Sequence, residues 1–149
     1  MSAVRRLGPG DVTGVRRLNA LFAEAFEDAE HYAAAPPPDD WLDALLARDD
    51  VIALVAEADG AVVGGLVAYV LAKFEQARRE IYIYDLAVAE VHRRQGVATA
   101  LIAEVRRIAG EIGASTVFVQ ADVGDDPAIA LYAGLGSRLD AIHFDMAPL

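Results

Sequence analysis

The run with the clearest chemistry is Arg93-Arg-Gln-Gly-Val-Ala-Thr99. It has the pattern R-x-x-G-x-A and stands where an apolar strand pattern, Glu80 to Val88, gives way to a long helical one. Unpaired N–H groups in the first turn of a helix point outward at the positive end of its dipole, so a phosphate-like anion is stabilised there. Gly96 lets the backbone approach closely, Ala98 stays small, and Arg93 and Arg94 add charge. Two other phosphate loops are ruled out, because the chain has neither G-x-x-x-x-G-K-[ST] nor G-x-G-x-x-G after a strand.

Immediately before the loop, strand alternation sets Asp85 on one face with Ile81, Ile83 and Ala87. Burial on an apolar face raises a carboxylate's pKa, which suits a base and equally suits a structural group bonded to backbone N–H groups. Further acids gather in two places. Asp122, Asp125 and Asp126 follow a strand, and Glu27, Asp28 and Glu30 end a helix, where carboxylates oppose the macrodipole. Each set reads either as an ordinary cap or connection, or as an acidic rim facing a cation.

The elements that must position these residues follow from periodicity. Val4 to Leu7 suits a short strand, with Asp11 as the cap of a helix carrying Val15, Leu18, Phe22 and Phe26. After the proline-stiffened stretch from Ala33 to Pro38, Asp39 or Asp40 caps a short helix through Trp41 to Leu46. Val51 to Ala58 and Ala61 to Leu71 flank Asp59-Gly60, a hairpin signal, and Gly64-Gly65 marks a bulge or a close backbone approach. The loop helix carries the stripe Val97, Leu101, Val105, Ile108 and Ile112 and stops at Gly113. Thr116 to Gln120 forms a strand, a helix runs from Pro127 to Leu135 with Asp126 before it, and Leu139 to Met146 forms a last strand. The order β-α-α-β-β-β-α-β-α-β predicts an α/β fold with a mixed sheet, an antiparallel meander followed by a parallel pair.

Bulk properties narrow the function. With 149 residues, 55% of them hydrophobic, residues 1–149 read as a single domain with ample core. A net charge of −10 disfavours nucleic acid and favours cationic partners. Without cysteine, and with His31, His92 and His143 far apart, no metal site is expected. No secretory signal and no apolar run long enough for a membrane helix is visible, so a cytoplasmic protein is the default.

At these residues the chain resembles the GNAT N-acetyltransferases. Asp85-Leu-Ala-Val88 and Arg93 through Ala98 are similar to their D-L-x-V strand end and R/Q-x-x-G-x-G/A loop. Asp125 through Tyr132 with Leu135-Gly136-Ser137 resembles their N-x-x-A-x-x-x-Y motif and following L-G-F, with Asp125 for Asn and Ser137 for the aromatic. Lys73 to Gln76, Glu80 to Val88, His92 to Gly96, Val119 to Asp122, Gly124 to Ala128 and His143 to Asp145 resemble class I aminoglycoside 3-N-acetyltransferases, the gentamicin acetyltransferases.

The resemblance implies acetyl-CoA as donor. Its pyrophosphate would lie on the loop, with Arg93, Arg94, Gln95, Gly96, Val97, Ala98 and Thr99 as binding residues, and its pantetheine on Leu86, Ala87 and Val88, where two parallel strands part. It makes Asp85 the candidate base for the acceptor amine and Tyr132 the general acid. Asp122, Asp125, Asp126, Glu27 and Asp28 would line a groove for an aminoglycoside, and dimerisation is implied by resemblance alone. Other cationic amines, such as polyamines or protein amines, and an idle acyl-CoA-binding module are the competing expectations.

Overall fold

The computed structural model describes residues 2–149. Strands β1 (Ala3–Arg6), β2 (Val51–Ala58), β3 (Ala61–Ala72), β4 (Arg79–Val88) and β5 (Thr116–Val119) form one sheet in chain order. The first four are antiparallel to their neighbours, and β5 lies parallel to β4, as the crossover between them requires. The helices are α1 (Val12–Ala25), α2 (Ala29–Tyr32), α3 (Asp39–Leu46), α4 (Val97–Ile112) and α5 (Asp126–Ala133).

Helices cover both faces of the sheet. On one, α1 buries Val15, Leu18, Leu21 and Phe22 against Ala53, Val55 and Ala87. On the other, α4 buries Leu101, Ile102, Val105 and Ile108 against Ile52, Leu54, Leu66, Ile81 and Ile83. The α4 stripe differs slightly from its expected course, because Ile112 is exposed and Ile102 and Ala109 are buried instead.

The two glycines of β3 explain how both helices come so close. A Cβ on Gly65 would lie 2.0 Å from Leu18 Cδ1 in α1, and one on Gly64 would lie 2.7 Å from Val97 Cγ1 in α4. A register shift stands beside them, with Val63 as the extra residue between Ala56↔Gly64 and Glu57↔Val62. Asp59 and Gly60, both at positive φ, close the β2–β3 hairpin as expected.

Several helix ends differ from expectation. Asp11 precedes α1 but its carboxylate accepts from the Gly8 N–H at 2.8 Å, holding the preceding turn instead of the helix. Pro38 is the residue before α3, so Asp39 and Asp40 lie in its first turn, where their charge suits the dipole. Asp125 caps α5, with Oδ1 accepting from Ala128 N–H at 3.4 Å, and Asp126 is the first helical residue. Part of the stretch between α1 and α3 forms the single turn α2, capped by Asp28 through the His31 N–H at 3.0 Å.

The expected last strand is the largest difference. Among the described residues, 139–146 have no strand partner, and β5 is left as a sheet edge. The alternation of the segment favours a strand, but a strand needs a neighbour for its N–H and C=O groups.

Candidate active site

A bulge in β4 decides where Asp85 points. Val67 pairs with Asp85 and Ala68 with Ile83, so Tyr84 is an extra residue and the alternation reverses there. Asp85 therefore does not share a face with Ile81 and Ile83, which lie in the core under α4. It shares one with Ala87 and Val67, on the α1 side.

There Tyr32, at the end of α2, donates its hydroxyl to Asp85 Oδ1 at 2.6 Å. Burial raises the Asp85 pKa, while the Tyr32 bond and nearby His31 oppose the rise. The Tyr32 phenol is pushed well above its ordinary value by burial, then by Asp85 and Asp28, so it stays a proton donor. Aromatic rings enclose the pair. Phe22 and Phe26 stand 5.7 and 5.4 Å from the Tyr32 ring, and Tyr69 lies edge-on to Tyr84 at 5.9 Å. The result is a half-sheltered carboxylate in an aromatic wall.

The anion cradle forms where the pattern predicts it. Gly96 precedes α4 at φ 80°, and Arg94 is also left-handed at φ 62°. No side chain caps the first turn of α4. A Cβ on Gly96 would meet nothing within 4 Å, so the approach to these N–H groups is clear. His92 Nδ1 is buried with no hydrogen-bond partner among the described residues and lines a cavity of about 550 Å³ with Val91, Gln95, Gly96 and Val97. These features fit a phosphate-bearing ligand. The Arg93 side chain is partly engaged elsewhere, since its Nε donates to the Val88 carbonyl at 3.1 Å.

Between carboxylate and cradle the sheet opens. The β4–β5 pairing runs from Glu80↔Thr116 to Ile83↔Val119 and stops, so among the described residues Tyr84 to Val88 have no strand neighbour on that side. Leu86 and Val88 pack toward the α4 core and Ala87 toward α1.

Tyr132 lies on the other side of the sheet from Asp85, half-buried against the α4 core. Burial, and next the charge of Asp125, raise its pKa. Asp122, Asp125 and Asp126 stay exposed, and a turn closed by Asp125 N–H to the Asp122 carbonyl at 3.1 Å gathers them. Asp28 reaches the Asp85 neighbourhood through its effect on Tyr32, whereas Glu27 is an exposed, left-handed turn residue at φ 51°. The acids thus fall into two groups, one beside Asp85 and one beside Tyr132. Sequence reasoning missed Tyr32 and His92. Tyr32 stands 53 residues from its partner, in a stretch whose spacing predicts a loop.

Fold and site together define an α/β protein that can hold an anionic ligand at a helix start beside a sheltered carboxylate. Residues 15–136 match the Acetyltransferase (GNAT) family, and the chain belongs to it. It is similar to an aminoglycoside acetyltransferase from an uncultured soil metagenomic sample, 48% identical with a TM-score of 0.97, covering 100% of this chain and 99% of that one. A second such enzyme from a soil sample, solved in complex with sisomicin, is 31% identical with a TM-score of 0.91 over 99% and 97% of the two chains. N-acetyltransferase 8B of Rattus norvegicus is 31% identical over 90 residues, 60% of this chain. This chain covers only 40% of that relative's length. Among the described residues no helix is long and apolar enough to cross a membrane, and no cluster suits a metal ion.

Proposed function

We propose that the chain is an acetyl-CoA-dependent N-acetyltransferase that acetylates the 3-amine of an aminoglycoside by direct transfer, acting as a single domain. The observation that carries the reading is Asp85, held by Tyr32 in an aromatic wall where β4 loses its β5 neighbour. The similarity to the two soil enzymes supports the acceptor class.

An alkylammonium has a pKa of about 10 and must lose a proton before it attacks a thioester. Asp85, with a raised pKa, attracts the cation and takes that proton directly or through a water. The donor's diphosphate fits the first turn of α4 with Arg94 and His92, and its pantetheine arm fits the free edge at Leu86 to Val88. The opening between β4 and β5 lets acceptor and donor meet from opposite faces. Tyr132 would then stand on the donor side. A phenol near 10 protonating a thiolate near 8.5 is uphill by about 2 kcal/mol, and the raised Tyr132 pKa makes it steeper. Tyr132 therefore serves best as a hydrogen-bond donor to the departing sulfur, transferring its proton only in concert. The acids at 122–126 and at Asp28 would receive further ammonium groups of a polyamine.

The deciding measurement is thiol release from acetyl-CoA across a panel of aminoglycosides, spermidine and lysine peptides, with the product's acetylated nitrogen located by NMR. Turnover with gentamicin-type compounds and a 3-N-acetyl product is the expected result. Release with spermidine or peptides alone would move the acceptor class, and CoA binding without turnover would leave a binding module.

Two variants test the parts. Gly96→Val forces a β-branched residue into a left-handed position, a cost of about 1–2 kcal/mol, so CoA should bind roughly tenfold more weakly in calorimetry. Unchanged affinity would mean that the loop does not hold the donor. Tyr32→Phe removes the bond that lowers the Asp85 pKa. Since the base works deprotonated, the ascending limb of the pH profile of kcat/KM should move to higher pH. A shift the other way would remove Tyr32 from the acceptor side.

A further inference from the structure

The α1 side of the sheet is not covered along its whole length. The buried cluster under α1 ends at Ala87, with Val67 packed against it, and includes none of the aromatic side chains further along the strands. Those are Tyr69 of β3, Tyr82 and Tyr84 of β4, and Phe118 of β5. Tyr82 is the register partner of both Tyr69 and Phe118, so the three stand side by side across the strands. Tyr82 and Phe118 stack at 4.6 Å with their planes 10° apart. Tyr84 meets Tyr82 edge-on at 5.5 Å and Tyr69 at 5.9 Å. Tyr84 is thus 61% exposed but braced by two other rings.

Both ends of this row are polar. At one, Asp85 follows Tyr84 in the chain, and its charge, after burial, helps hold the Tyr69 hydroxyl above its ordinary pKa. At the other, Glu80 pairs with Lys73 and Arg78 at 3.6 Å each, and Glu75 with Arg78 at 2.8 Å, so neither cation is left unpaired. Along the rim, Tyr82 donates its hydroxyl to Gln120 Oε1 at 2.7 Å.

We infer that this row is a stacking platform for the part of the acceptor that does not react. Its occupant is a saturated, hydroxylated ring carrying ammonium groups, linked to the ring whose amine Asp85 receives. The inference rests on the proposed acetyl transfer and adds to it the residues that select for acceptor length. Such a ring has an apolar C–H face and a polar rim. The C–H face lies on Tyr84, whose π face also attracts a neighbouring ammonium. The rim meets the Gln120 amide and the tyrosine hydroxyls. Aliphatic side chains alone would offer an ammonium no attraction, and an unpaired lysine or arginine would repel it. Because the rings brace one another, little side-chain freedom is lost on binding. Cross-strand pairing accounts for the Tyr82–Phe118 stack, but a ring as exposed as Tyr84 gains little from packing alone.

A pair of acceptors separates the parts: 2-deoxystreptamine, the reacting ring alone, and sisomicin, which adds sugar rings to it. Tyr84→Ala should lower kcat/KM for sisomicin relative to that for 2-deoxystreptamine by about tenfold, an ordinary size for a lost cation–π and stacking contact. The change should fall in KM more than in kcat, and calorimetry with CoA bound should show sisomicin weakened to match. Tyr84→Phe, which keeps the ring, should restore the ratio. Equal losses for both acceptors, or a ratio unmoved by Tyr84→Ala, would overturn the inference and leave the proposed reaction standing. No turnover of either acceptor by the unmodified chain would overturn the reaction and the inference with it. If Tyr84→Ala fails to fold, saturation-transfer NMR on the unmodified chain decides. Saturation of the aromatic protons should reach the sugar-ring protons of sisomicin, and transfer confined to its 2-deoxystreptamine ring would overturn the platform.

Discussion

Asp85→Asn should lower kcat by about 10²–10⁴-fold, the usual contribution of a general base, while CoA affinity measured by calorimetry stays unchanged. The substitution keeps the shape and still accepts the Tyr32 hydroxyl, seen here at 2.6 Å. What it removes is the capacity to take a proton and to attract a cation. Thermodynamics argues against loss of folding as a confounder. The folded Asp85 pKa lies above its ordinary value because of burial. Its stabilising contribution is thus present below the unfolded pKa and is lost as pH rises through the folded one. At neutral pH the ionised side chain burdens the fold, so the amide variant should melt at the same temperature or higher. In the unmodified chain the ascending limb of kcat against pH should lie above the ordinary aspartate range, and in the variant that limb should vanish. A variant that turns over at the unmodified rate would return Asp85 to a purely structural part.

The two acid groups give this expectation its spatial meaning. Asp85 faces α1, and Tyr132 packs on the α4 side. A thioester reached by both must lie in the opening where β4 and β5 no longer pair. On the proposed reading an acceptor would then arrive over the aromatic wall formed by Tyr32, Tyr69 and Tyr84. Removing Asp85 should accordingly disturb the acceptor side and leave the donor side intact.

What could be read from the chain divides along physical lines. The hairpin at Asp59-Gly60, the cradle at Gly96 and most of the α4 core face are local patterns that form where their spacing places them, Ile112 alone of the expected stripe being left exposed. The orientation of Asp85 was not legible, because the bulge at Tyr84 carries no glycine or proline to announce it. One extra residue reverses the face of everything after it. Tyr32 was hidden for a different reason: its partner is remote in sequence, and α2 is a single turn that periodicity cannot detect. The final segment shows the opposite case. Its strand pattern is plain, yet the sequence contains no sign of which edge it should join.

Phe22→Ala should be the most damaging core substitution on the acceptor side. Phe22 is 1% exposed, stacks on Phe26 at 5.5 Å and supports the Tyr32 ring at 5.7 Å. Removing a buried phenylalanine costs about 3–5 kcal/mol, a large part of a typical total of about 5–15 kcal/mol. With a urea m-value of about 2 kcal/mol/M, the unfolding midpoint should fall by about 1.5–2.5 M. Phe26→Ala is the control, since Phe26 is exposed and touches the same ring at 5.4 Å; its midpoint should fall by less than half as much. Under conditions where Phe22→Ala remains folded, Tyr32 has lost one side of its support, so the acceptor KM should rise while CoA affinity holds. Equal losses in the two variants would mean that α1 does not carry the wall on which Tyr32 and Asp85 meet.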